Sequence, residues 1–82
     1  LYVVDRGNNR IRKIVISTKE VSTIAGSNPS GYLDGDGTAA KFNYPWGITT
    51  DGTNLYVGDG DNNMVRKIVI STGVVSTLAG SG

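Results

Sequence analysis

The residues best suited to chemistry in this chain are carboxylates. In "DGDGT" (34–38), Asp34 and Asp36 stand two apart before a glycine, the spacing that opens an oxygen-rich calcium loop. Asp59 and Asp61 in "DGDNN" repeat that spacing. A full loop of the helix–loop–helix kind needs further oxygen ligands and a glutamate at its twelfth position. Counted from Asp34, that position is Pro45, and an Asx-type turn accounts for the same letters. Calcium at Asp34 and Asp36 is the one cofactor expectation, and no other cofactor is implied.

Asp5 and Asp59 each end a short apolar stretch, and Arg12 and Arg66 follow seven residues later. One reading is an acid/base pair lining a channel. The other is structural: each aspartate accepts hydrogen bonds from the neighbouring turn, Asn8-Asn9 or Asn62-Asn63, or pairs with the arginine across a hairpin. A pattern present in both copies of a repeat is needed by the repeat itself, which favours the structural reading. Phe42, Tyr44 and Trp46 stand at every second position around Pro45. They suit either a stacking platform for a sugar or base or a bulky wedge between sheets, and the wedge is favoured. Tyr44 and Trp46, with Arg6 and Arg10 of the basic stretch "DRGNNRIRKI", are the candidate binding residues.

The rest of the composition removes whole classes of chemistry. The 82 residues include no cysteine and no histidine, so there is no thiolate ligand, no disulfide and no imidazole base. No serine lies in a nucleophile-elbow context and no glycine-rich loop ends in Lys-Ser or Lys-Thr. These residues argue against an enzyme. The net charge is +1, unlike a dedicated nucleic-acid binder. By segment it is +3 over residues 1–27, −2 over 28–54 and 0 over 55–81, so the basic excess belongs to one region. Nucleic acid is not an expected partner, and no apolar run is long enough to insert in a membrane.

What positions these side chains is a repeat. Residues 1–27, "LYVVDRGNNRIRKIVISTKEVSTIAGS", and 55–81, "LYVGDGDNNMVRKIVISTGVVSTLAGS", are identical at 19 of 27 positions without a gap, 54 residues apart. Each copy divides into three β-branched strands separated by turns rich in Asn, Asp, Gly, Ser and Thr. Gly73 suits a left-handed turn position, where the first copy has Lys19 instead. A further strand, "WGITT", follows Pro45. The reading is all-β: residues 1–27 a partial blade of three strands, 28–41 a glycine-rich inter-blade loop, and 42–82 a complete four-stranded antiparallel blade of a β-propeller. A β-solenoid is the structural alternative, with shorter coils as a rule. The chain opens inside a strand, so an upstream segment is expected.

"FNYPWGITTDGTNLYV" with "NLYVGDGDNNMVRKI" resembles the NHL repeat over essentially the whole chain. The pattern is apolar–Pro–x–Gly–Ile, Asp-Gly, Leu-Tyr-Val, Asp, Asn-Asn, Arg and Lys-Ile. The histidine of the family's name is absent: Asn63-Met64 and Asn9-Arg10 stand in its place. The resemblance implies propeller blades, commonly in a ring of six, that bind partners at rim loops. It includes metal-dependent lyases, which rely on histidines this chain lacks. Rings need about four to eight blades, so other copies of the chain or further blades of a parent chain are the expected partners, with a protein ligand besides. The leading function is a non-enzymatic scaffold for protein–protein interaction or self-assembly. The alternatives are an extracellular fibre subunit of stacked blades and a face that binds RNA or another polyanion. Cysteine-free repeats of this long period, rich in Gly, Thr, Ser and Asn, resemble bacterial secreted or envelope proteins, which sets the expected location.

Overall fold

The computed structural model describes residues 1–80. Eight strands run through it: β1 (Tyr2–Asp5), β2 (Arg10–Val15), β3 (Glu20–Gly26), β4 (Gly35–Asp36), β5 (Pro45–Thr50), β6 (Asn54–Asp59), β7 (Met64–Val69) and β8 (Val74–Gly80). They form two antiparallel sheets, one ordered β1-β2-β3 and one ordered β4-β8-β7-β6-β5. Among the described residues there is no α-helix, only three single 3₁₀ turns, and no helix long and apolar enough to cross a membrane. The architecture is the all-β one the sequence implies, a complete blade beside three strands of another.

The two copies share local geometry. In each, a 3₁₀ turn links the first two strands and ends on an asparagine in the left-handed conformation, Asn9 at φ 55° and Asn63 at φ 56°. Asparagine tolerates this conformation better than most residues. Behind each lies a glycine, Gly26 or Gly80, where a Cβ would come 2.3 or 2.5 Å from the asparagine's carbonyl oxygen. Only glycine fits so close an approach. The pairing slips by one residue at the same place, between Ile11 and Arg12 in the first sheet and between Val65 and Arg66 in the second. The slip re-aims the side chains beyond it. Lys19 adopts the left-handed φ of 63° that Gly73 provides in the second copy at 77°, so register is kept against a steric cost.

Residues 28–41 are more than the loop the sequence suggests. β4 pairs antiparallel with β8, Gly35 opposite Val75 and Asp36 opposite Val74. Leu33 and Lys41 bridge each other, and the Gly37 N–H donates to the Gly73 carbonyl at 2.8 Å. Such pairing uses main-chain groups and requires no β-branched sequence. The segment then passes between the sheets. Ala40 and Phe42 are buried there with Ile11 and Ala25 of the first copy and Leu55, Val57, Ile68 and Val75 of the second, in one apolar cluster.

The turn before β6 carries a pH response. Asp51 Oδ1 accepts from the N–H groups of Asn54 (2.7 Å) and Thr53 (2.9 Å), and the Tyr56 hydroxyl donates to its other oxygen at 2.8 Å. These bonds favour the charged form and lower its pKa from 3.8 to about 2. A depressed carboxyl pKa gives stability that is present above the unfolded value and is lost as pH falls through the folded one. The melting temperature of the Asp51→Asn variant is therefore expected to fall less than that of the wild type between about pH 4 and pH 2. Parallel curves in thermal melts would show that Asp51 contributes nothing in that window.

Candidate functional site

The repeated Asp–Asn–Arg set folds into one local network per copy, in two different settings. In the first copy, Arg12 Nη1 donates to Asp5 at 3.2 Å and the Asn8 amide donates to both Asp5 oxygens. Both charged side chains are about 30% exposed. In the second copy Arg66 and Asp59 are fully buried. Arg66 donates to Asp59 (2.7 Å), Asp34 (2.8 Å), the Lys41 carbonyl (2.9 Å) and the Leu33 carbonyl (3.0 Å). Its guanidinium also lies 4.9 Å from the ring centres of Phe42 and Tyr32. Asn62 donates to Asp59 and to the Gly31 carbonyl, and Asp59 accepts from the Asn43 N–H at 2.7 Å. In the second copy residues 31–43 wrap Arg66, whereas among the described residues Arg12 bonds only Asp5.

Asp34 faces Arg66 with one oxygen, and Thr77 donates to the carboxylate from both its N–H and its hydroxyl. Asp36 is exposed on β4. A cation at Asp34 would compete with a guanidinium 2.8 Å away. Among the described residues no three acidic, histidine or cysteine side chains gather as a metal site would require.

The structure brings three of the four candidate binding residues together. The Arg6 guanidinium stacks on Trp46, 3.8 Å from the ring centre, and lies 5.8 Å from that of Tyr44. Tyr44 and Trp46 are 45% and 61% exposed. Arg6 belongs to the turn after β1, and the aromatics belong to the start of β5, so the cluster straddles the seam between the blades. It is anchored from below. The Asn9 side-chain oxygen, 7% exposed on the residue scale, accepts from the Tyr44 N–H at 2.9 Å. Trp46 rests against Gly60, where any Cβ would collide with the indole. Arg10 stands apart, donating to the Asn8 carbonyl. Phe42 is separate as well, buried while its two aromatic neighbours are exposed. The sequence hinted at the pairing: Arg6 is particular to the first copy, and its counterpart is Gly60, the residue that makes room for the indole.

No protein-family model matches the chain. Among curated proteins it is 37% identical over all 82 residues to NHL repeat-containing protein 2 of chicken, and 35% identical over all 82 to the human protein of that name. The chain is a segment of NHL repeats. Such repeats form β-propeller blades, as the two sheets do, and the segment is a repeat module. It covers 11% of the length of each of these relatives. It is also 34% identical, over 79 residues and 8% of that protein, to Protein SUPPRESSOR OF QUENCHING 1, chloroplastic, of Arabidopsis thaliana. These eukaryotic relatives overturn the expectation of a bacterial secreted or envelope protein. The Gly, Asn, Ser and Thr that prompted it are demanded by the turns of an NHL blade and carry no information about compartment.

Proposed function

We propose that this NHL segment is a scaffold module without catalytic activity of its own, and that it contacts a protein partner at the seam formed by Arg6, Tyr44 and Trp46. One observation carries the reading: an arginine stacked on an exposed tryptophan, beside an exposed tyrosine, on a main chain held by the buried Asn9. Trp, Tyr and Arg are the side chains that dominate binding energy in protein interfaces. Fixing them in advance reduces the ordering cost of association. No specific observation favours the polyanion or fibre reading. Arg6 is committed to the indole and Arg10 to its own turn.

Trp46 is the single tryptophan of the chain, so its fluorescence reports directly on the seam. A photoreactive group placed at position 44 would identify a partner. The purified partner is then expected to shift the Trp46 emission, and Trp46→Ala or Arg6→Ala is expected to weaken its binding at least tenfold, about 1.4 kcal/mol or more. Both changes are at exposed positions and should leave the circular dichroism unchanged. A partner that binds both variants as tightly as the wild type would remove the seam from the interface.

A further inference from the structure

The seam holds a cation whose hydrogen-bonding edge is unused. Arg6 opens the exposed turn Arg6–Asn8, and its guanidinium lies 3.8 Å from the ring centre of Trp46. Stacking engages one face of a guanidinium and leaves the N–H donors of its rigid fork free at the edge. Among the described residues the Arg6 guanidinium forms no ion pair and no hydrogen bond, whereas Arg10 donates to the Asn8 carbonyl and Arg12 to Asp5. The turn also lacks the acid that its counterpart carries. Gly7 stands where the second copy has Asp61, and a Cβ at Gly7 would meet no atom within 4 Å. The chain beside Arg6 is therefore open and without a carboxylate of its own, in a segment whose net charge is +3 over residues 1–27.

Resting on the seam as the docking surface, we propose that its partner is an acidic peptide segment that presents one carboxylate to the edge of Arg6. Arginine pairs with a carboxylate through two parallel N–H···O bonds. The indole fixes the plane in which those bonds form, so the fork is oriented before the partner arrives. One unmatched guanidinium suits one carboxylate. A nucleic-acid backbone needs several cations on one surface, and the neighbouring Arg10 and Arg12 are already engaged.

The test selects peptides from a displayed random library on the full chain, then titrates the most enriched peptide while following Trp46 fluorescence. The enriched peptides are expected to share one acidic position. Replacing that acid by its amide should weaken binding to the wild type by about tenfold or more, as for a charge-assisted hydrogen bond. The same replacement should change binding to the Arg6→Ala variant by less than about twofold, because the group it pairs with is gone. Arg6→Lys keeps the charge but loses the fork, so it should also weaken the acidic peptide, by about fivefold. Peptides that need Trp46 but are indifferent to the acid-to-amide change would overturn the proposal and leave the seam as the docking surface. If no peptide is enriched, or if the enriched ones bind Trp46→Ala as tightly as the wild type, the seam falls and the proposal with it. A dye-labelled oligouridylate is the control for a polyanion: tighter, steeply salt-dependent binding that needs Arg6 would overturn the carboxylate in favour of phosphate.

Discussion

Replacing Arg66 by methionine is expected to destabilise the chain by about 3–5 kcal/mol, the range for removing one partner of a buried ion pair. The same change at Arg12 should cost under about 1 kcal/mol, as for a solvent-screened pair. Arg66 is fully buried and satisfies two carboxylates and two carbonyls at 3.0 Å or less. Methionine fills much of the volume between Phe42 and Tyr32 but leaves the charge of Asp59 in a dry site without a cation. A chain of this length has a total stability of about 4–12 kcal/mol, so the variant would lie close to unfolding. Arg12 leaves behind an Asp5 that water reaches and that Asn8 still bonds. Urea denaturation of the two variants measures the contrast. A second substitution sharpens it: Asp59→Asn added to Arg66→Met should recover part of the loss, because the amide oxygen still accepts from the Asn43 N–H while the buried charge is gone. Equal losses at Arg12 and Arg66 would show that burial does not set the strength of the pair.

That contrast also marks where the sequence stops informing. Asp, Asn-Asn and Arg stand at matching positions in both copies, and strand order, turns and the structural pairing of Asp with Arg follow from those letters alone. Which copy buries its arginine does not follow, because burial is decided by residues 31–43, distant in sequence from Arg66. A repeat records what each blade needs locally, whereas its neighbours determine what is covered. β4 was hidden for another reason: "DGDG" pairs through its backbone and carries no strand-forming side chains. The Arg6–Trp46 stack lay between these cases. Its members were identifiable as the residues departing from the repeat or flanking Pro45, but their approach depends on how the second blade packs on the first.

The largest effect of a single apolar truncation is expected at Phe42. Phe42→Ala should cost about 3–5 kcal/mol, for the ring is fully buried in the cluster shared by both sheets and also faces the Arg66 guanidinium. Its effect should be uneven. The first sheet has three strands, and its buried apolar side chains, Ile11 and Ala25, share a cluster with the segment that carries Phe42. The second sheet has five strands and keeps β5 and β4 at its edges when the ring is lost. Hydrogen exchange should therefore show protection falling first in β2 and β3, and less in β6 and β7, since the least supported unit opens at the lowest free energy. Val65→Ala, a truncation at a 40% exposed position of β7, should change stability by no more than about 0.5 kcal/mol. If Phe42→Ala instead lowered protection equally in both sheets, the two blades would open as a single cooperative unit. The segment at 40–44 would then couple the two sheets as well as cover the first.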